Sequence, residues 1–369
     1  MTRPLQVVDA SDPAAVDVAL RDALSGDGPA IMPSLATPGG IPAEVAQRVA
    51  LVVETSGSTG RPKRVALSSD AILASAAAAQ GILGAPGQWL LALPLTYIAG
   101  LNVVARARAS ATGFVVIGPG PFTVEAFCEA ANRMNAATRY TSLVPTQLAR
   151  LVDDDSALET VRRFDRILIG GQAAPVELIA RALELGLNVT RTYGSSETCG
   201  GCVWDGVPIG NTEARIVNGR VELTGDVLAE GYLDDVRRNA FSFREHDGKR
   251  WYRTDDAGEL VDGVLRVSGR LDDQIISGGV KVSIAEVELA VRALPGLVHA
   301  VVVASPHPEW GETPVVISTV GMPLDELRAA VAAVLGPAAA PSRILLIDVL
   351  PMLASGKPDR LSLAALALG

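Results

Sequence analysis

The chain has 369 residues, with 32 basic against 41 acidic side chains, a net charge of −9, 49% hydrophobic and 20% charged residues. That length exceeds what one core usually holds, so two domains are the default, and the composition is that of a folded globular protein. The acidic balance argues against a nucleic acid as main partner, and the start, MTRPLQVVDASDP, has no apolar core for a secretory signal.

The first clear element is RVALVVET (48–55), a β-branched run read as a strand. TSGSTGRPK (55–63) follows, then a short apolar run over 64–67, then Ser68, Ser69 and Asp70, which suit the cap of a helix from about Ala71. A loop in that context can leave backbone N–H groups free to face an anion, and RPKR (61–64) is the only tight basic cluster. It is not a P-loop, because Gly57 and Gly60 are followed by Lys63 at the wrong spacing. Taken alone, it fits a glycine/serine surface loop equally well.

Residues 72–105 carry no charge, but Gly81, Gly84, Pro86, Gly87 and Pro94 cut them into pieces too short to span a bilayer. They read as buried helix, turn, buried strand and helix start. WLLALP (89–94), GFVVIG (113–118), TSLVP (141–145), RILIGG (166–171) and NVTRTYG (188–194) predict strands, with helices over 123–134 and 175–186. The alternation predicts an α/β fold, a mainly parallel sheet covered by helices, with ligand loops after the carboxyl ends of its strands. Gly170, Gly171 and Gln172 fall at one such end, and Gly194, Ser195, Ser196 and Glu197 at another.

From about 201 to 268 short strands separated by Gly, Asp and Asn predict an antiparallel, barrel-like region. Alternation then returns, with strands VHAVVVAS (298–305), TPVVIS (313–318) and RILLID (343–348) and helices over 284–294 and 323–335, enough for a small α+β domain. The glycine-rich junction GRLDDQIISGGVKV (269–282) suits a hinge, so the expected division is 1–271 and 272–369. The odd count of cysteines without a signal predicts reduced thiols in the cytoplasm. Cys199 and Cys202 have C-x-x-C spacing, but with no second such pair and with His246, His299 and His307 scattered, the pair reads as incidental.

Three further stretches carry chemistry. Tyr193 to Thr198, YGSSET, leaves a strand with an aromatic face, hydroxyls and one carboxylate; YRTDD (252–256) ends a strand with acids able to bind sugar hydroxyls; SGKPDR (355–360) sets a lone Lys357 in a turn. Singly, each has a dull alternative: a core tyrosine, an acidic turn, a solvated amine.

In this order the stretches resemble the adenylate-forming superfamily of acyl-CoA synthetases, aryl-CoA ligases, adenylation domains and luciferases. TSGSTGRPK is similar to its phosphate loop, YGSSET to its adenine and magnesium motif, YRTDD to its ribose segment, GRLDDQIISGGVKV to its hinge and SGKPDR to its catalytic-lysine motif. SLVPTQLARL (142–151), ILIGGQAAP (167–175) and the short N-terminal part are most similar to the o-succinylbenzoate-CoA ligases of menaquinone biosynthesis in their short actinobacterial form. The chain departs from the family pattern at Arg64 and Asp255, where glycine is usual, and at Tyr97, where histidine is frequent.

The resemblance implies two steps: acyl-adenylate and pyrophosphate from ATP and a small carboxylic acid, then CoA thioester and AMP. It implies that Thr55, Ser56, Gly57, Ser58, Thr59, Gly60 and Lys63 hold phosphates, that Glu197 ligates Mg²⁺ and that Ser196 meets the α-phosphate. Tyr193 and Gly194, with Gly170, Gly171 and Gln172, would form the adenine pocket, and Asp256 and Arg270 would bind ribose. Lys357 would serve the first step; rotation about Asp272 would then bring Gly278, Gly279 and Lys281 to coenzyme A. Tyr97, Thr146, Gln147, Arg191 and Ser195 are the candidates for the acid pocket, and a homodimer is the oligomer to test for. The nearest rival is another aryl- or medium-chain acyl-CoA ligase of the same superfamily; the rival from another class is a non-catalytic ATP-binding module, against which the presence of Lys357, Glu197 and Asp256 speaks.

Overall fold

The computed structural model describes residues 1–55, 63–353 and 358–368. Ser56, Gly57, Ser58, Thr59, Gly60 and Lys357 therefore lie outside the described residues.

Two sheets make up most of the larger part. The first runs, in spatial order, Gly231–Tyr232, Lys63–Ser68, Val49–Thr55, Ala30–Ser34, Thr2–Asp9 and Glu44–Ala46. The second runs Val207–Pro208, Gly200–Trp204, Val189–Ser195, Arg166–Ile169, Arg139–Leu143, Gln88–Leu91 and Phe114–Val116, and its last five strands are mutually parallel. Trp89 to Leu91 and Ile167 to Ile169 are almost fully buried, as strands covered on both faces require.

Between the sheets lie the helices Ser69–Leu83 and Ile98–Ala109, and one apolar cluster joins Val53, Val65 and Leu67 of the first sheet, Ile72 and Leu101 of the helices, and Trp89 and Leu168 of the second. This accounts for much of the charge-free stretch 72–105, because Ala71, Ile72, Ser75, Ala76 and Ala79 of the first helix and Ile98 and Gly100 to Ala105 of the second are buried, although Leu73 and Ile82 are about half exposed. Ser68 caps the first of these helices by accepting from the Ala71 N–H at 3.3 Å. Such a cap is worth about 1 kcal/mol.

A third, antiparallel sheet contains Glu213–Val217, Arg220–Thr224, Lys249–Val261 and Phe243–His246, with Val264–Arg270 paired to the long strand. The fourth contains Val280–Ser283, Gln274–Ser277, Gly311–Ser318 and Val301–His307, with Arg343–Leu346 alongside, and is packed by helices Ile284–Arg292, Leu324–Leu335 and Arg360–Leu368.

Four points depart from the sequence-based expectation. Residues 1–46, to which no element was assigned, supply three strands and the helix Pro13–Ser25 to the first sheet. The parallel run is split between two sheets, because Val49–Thr55 and Lys63–Ser68 pair antiparallel across the loop. Asp255 and Asp256 sit in the middle of the strand Lys249–Val261 and not at its end. Most of the expected hinge is itself a hairpin: Gln274–Ser277 pairs with Val280–Ser283 through Gly278 and Gly279, whose φ angles of 57° and 80° suit a tight two-residue turn. No described helix is long and apolar enough to cross a membrane.

Candidate active site

The parallel strands of the second sheet deliver their loops to one edge. Leu143 is followed by the Pro145–Val152 helix, Ile169 by Gly170, Gly171 and Gln172, and Ser195 by the single turn Ser196–Thr198. That turn is built under compulsion. A Cβ on Gly194 would stand 2.0 Å from the Gly200 carbonyl oxygen, so only glycine allows the two backbones to approach. The Thr198 hydroxyl oxygen accepts from the Ser195 N–H at 2.9 Å. The Cys199 carbonyl, in a left-handed residue with φ of 50°, accepts from Asn102 Nδ2 at 2.7 Å and Ser75 Oγ at 3.1 Å. We expect Gly194→Ala to lower the unfolding free energy by about 3 kcal/mol, since the added carbon meets rigid backbone; a urea midpoint equal to the parent's would contradict this packing.

The turn presents Glu197, whose side chain is buried and accepts from the Tyr232 hydroxyl at 2.8 Å. Its carbonyl accepts from the Ala229 N–H at 2.8 Å. Tyr232 belongs to the first sheet, opposite Val65, two residues beyond Lys63. The stretch 229–233 thus ties the carboxylate of one sheet to the loop strands of the other. No described lysine or arginine pairs with Glu197. A buried carboxylate with one hydroxyl donor and no basic partner has unused acceptor capacity of the kind a hard divalent cation fills, and Mg²⁺ typically needs only one or two protein carboxylates beside phosphate and water. The described residues hold no cluster of three metal-ligating side chains.

The third sheet enters from the side. Asp256 faces Arg270 across the strand pair and accepts from the Tyr193 hydroxyl at 2.7 Å. Burial raises the Asp256 pKa, against the Tyr193 hydrogen bond and the Arg270 charge, which oppose the rise. Burial and the nearby Asp256 carboxylate push the Tyr193 hydroxyl far above its ordinary pKa. Arg270 forks onto Asp272 with two bonds of 2.7 Å. Burial would raise Asp272, but that fork and the Lys63 charge outweigh it and leave its pKa lowered. Backbone and side-chain hydrogen bonds from Arg238 lower the Asp235 pKa, and the Lys63 charge adds to this. Tyr193, Asp256, Arg270 and Asp272 share one neighbourhood, and Lys63 is two residues before Val65, which pairs with Tyr232.

Gln172 contributes a buried Nε2 with no hydrogen-bond partner among the described residues, beside Gly170 and Gly171. Ser195 Oγ is buried beside the Tyr252 ring without a hydrogen bond of ordinary length. Tyr97 and Thr146 stand at or next to the first turns of the helices Ile98–Ala109 and Pro145–Val152. Two acid-pocket candidates are otherwise engaged. Gln147 donates to the Ala92 carbonyl and accepts from the Val144 N–H, both at 3.0 Å, so both ends of its amide are used on backbone. Arg191, more than half exposed, is paired with Asp205 at 3.1 Å. Gly278 abuts the Trp310 ring, and Lys281 is exposed. Cys199 and Cys202 are free, buried thiols in different apolar clusters, and burial raises both, Cys202 to about 11.

Tyr232 and Asn102 were not anticipated. Asn102 is the lone asparagine of the charge-free stretch, and a polar side chain in such a place is a detectable signal. Tyr232 carries no comparable mark, since only the pairing of strands brings it to Glu197.

A model of the AMP-binding enzyme family matches residues 7–232, and one of the AMP-binding enzyme C-terminal domain matches 286–357. A probable 2-succinylbenzoate–CoA ligase of Mycobacterium tuberculosis is 38% identical over 98% of this chain and 97% of its own length. The 2-succinylbenzoate–CoA ligase of Escherichia coli is 34% identical over 73% of this chain and 58% of its own. Among solved structures, the o-succinylbenzoate CoA synthetase of Bacillus subtilis in complex with the acyl-adenylate intermediate aligns over 98% of this chain and 78% of its own, with a TM-score of 0.75 and 26% identity.

Proposed function

The chain belongs to the AMP-binding enzyme family, and on that premise we propose that it is an ATP-dependent, AMP-forming ligase that joins o-succinylbenzoate to coenzyme A. The observation that carries the reading is the convergence of Tyr193, Glu197, Tyr232, Asp256 and Arg270 from three sheets, together with the full-length likeness to a ligase of that name.

A carboxylate is a poor electrophile. Attack of one of its oxygens on the α-phosphorus of ATP expels pyrophosphate and leaves a mixed anhydride in which AMP is a good leaving group. Lys63 and the loop from Thr55 to Gly60 neutralise the departing phosphates, and Ser196 contacts the α-phosphate. Asp256 and Arg270 hold ribose hydroxyls; Asp256 is oriented by Tyr193 and by its place opposite Arg270. Gln172 Nε2, without a hydrogen-bond partner among the described residues, serves the purine edge. Mg²⁺, when held by Glu197 with the phosphates, supplies charge neutralisation at the transferring phosphoryl group. Lys357, a compact charge on a flexible stem, bridges the acid carboxylate and the α-phosphate.

In the second step the CoA thiolate attacks the acyl carbon and AMP leaves with the oxygen that came from the acid. The domain from Asp272 onward rotates, withdrawing Lys357 and bringing the Gly278–Gly279 turn and Lys281 to the thiol's path. The Arg270–Asp272 fork, at the end of the last strand of the third sheet, is the bond such a rotation would strain first.

ATP binding should depend on pH through Asp256. Its folded pKa is raised by burial, so between the ordinary carboxylate value near ~4 and that raised value the folded state takes up a proton that the unfolded state does not. As pH falls through this interval, Asp256 becomes less costly to bury and its contribution to stability rises, while KM for ATP rises because the ribose acceptor is neutralised. Asp256→Asn removes that inflection from the KM profile; an unchanged profile would contradict the assignment.

The test of the reading is pyrophosphate release with ATP, Mg²⁺ and a panel of o-succinylbenzoate, benzoate, 4-hydroxybenzoate and octanoate, with and without CoA. Turnover confined to o-succinylbenzoate is expected. Turnover with another acid keeps the chemistry and discards the substrate, and none with any acid returns the ATP-binding module.

A further inference from the structure

An ionic cluster built on a buried carboxylate lies in the C-terminal domain, outside the nucleotide site. Glu288 is 6% exposed, on the helix Ile284–Arg292, and its carboxylate gathers three donors. Arg360 Nη2 reaches both oxygens at 2.8 and 2.6 Å, the Val302 N–H donates at 2.9 Å, and Arg292 Nη2 lies at 2.9 Å. Arg360 also donates through Nη1 to the Val302 carbonyl at 3.0 Å. Arg292 reaches the Ala300 carbonyl at 2.8 Å. One carboxylate thus serves two guanidinium groups and a strand backbone.

Stability alone is a weak reason for such a cluster. Desolvating these charges offsets much of their attraction, and apolar replacements are often as stable. What the planar guanidinium of Arg360 gives is a fixed geometry, with Nη2 on the Glu288 carboxylate and Nη1 on the Val302 carbonyl. Arg360 is three residues beyond Lys357 and opens the final helix, which packs Leu363 and Ala367 against the sheet. On the other side of residues 354–357, Met352 forms a bridge with Pro358, and the Asp359 N–H donates to the Pro351 carbonyl at 2.9 Å. Both flanks of the lysine-bearing stretch are therefore tied down, one to its own backbone and one to Glu288.

We propose that Glu288 is a positioning residue for the first half-reaction, acting through Arg360 to fix the base from which Lys357 reaches the site. The inference rests on the assignment of Lys357 to that step. It separates from a purely architectural role because the thioester step, which proceeds with Lys357 withdrawn, does not need this geometry.

The experiment measures the half-reactions apart in the full-length protein: ATP–pyrophosphate exchange in the presence of o-succinylbenzoate, and thioester formation from purified acyl-adenylate and CoA. Glu288→Gln slows the first about a hundredfold, the loss expected of a displacement near 1 Å, and leaves the second within about threefold of the parent. Arg360→Lys, which keeps a cation but cannot hold the Glu288 carboxylate and the Val302 carbonyl from one planar group, and which lies at the more exposed end of the pair, gives the same split. Glu288→Gln added to Lys357→Ala costs no more than Lys357→Ala alone, as residues acting through one another require. Equal losses in both half-reactions, or none in the first, overturn the proposal. If Lys357→Ala itself leaves exchange at the parent rate, the reading of Lys357 fails; if it abolishes exchange while Glu288→Gln and Arg360→Lys do not, only the role of Glu288 fails.

Discussion

Lys357→Ala lowers acyl-adenylate formation by about 10²–10³-fold, the usual loss when one donor to developing phosphate charge is removed. The same variant converts supplied acyl-adenylate and CoA to thioester and AMP at nearly the parent rate, since the second step proceeds with this lysine withdrawn. The asymmetry is the informative part. A lysine that merely supported the domain would slow both steps together, and a solvated amine would slow neither. Rapid-quench measurement of each half-reaction separates the three cases.

Glu197→Gln is the second large effect, and it runs in opposite directions for activity and stability. The carboxylate is buried, accepts one hydroxyl hydrogen bond from Tyr232, and has no described basic partner. Replacing it by a neutral amide of the same shape removes a charge that is costly to bury while keeping an acceptor for Tyr232. The melting temperature should therefore stay level or rise, while pyrophosphate release falls by about 10²–10³-fold through loss of the proposed Mg²⁺ ligand. A fall in melting temperature with activity preserved would mark Glu197 as a structural residue.

What the sequence disclosed, and what it hid, follows from the reach of each signal. The YGSSET turn was visible because its chemistry is local, with glycine, hydroxyl and charge within a few residues; the core of the phosphate-loop motif and Lys357 lie outside the described residues. The charge-free stretch announced burial only in part: Trp89 to Leu93 and most of Ile98–Ala109 are buried, whereas Leu73 and Ile82 of the preceding helix are about half exposed. The strand Thr2–Asp9 alternates only weakly between buried and exposed positions and carries polar side chains, so its place in the first sheet left no strong trace. Asp255 and Asp256 resembled a strand end because two adjacent acids usually mark a turn, whereas here Arg220 and Arg270 supply the charge that lets them lie mid-strand. Gln147 looked like a pocket group and proved to be a backbone clamp, a use decided by the Ala92 carbonyl 55 residues away. The Glu288–Arg360 pair spans 72 residues. No local pattern could have joined it.

The central claim is that the acid is activated as an adenylate, and isotope transfer tests it most directly. With o-succinylbenzoate labelled by ¹⁸O in its carboxylates, ATP, Mg²⁺ and CoA, the account predicts a CoA thioester and AMP carrying one labelled oxygen, with none in pyrophosphate, each read by mass spectrometry. Label in inorganic phosphate with ADP as co-product would contradict it, because the acid would then have attacked the γ-phosphorus and passed through an acyl phosphate.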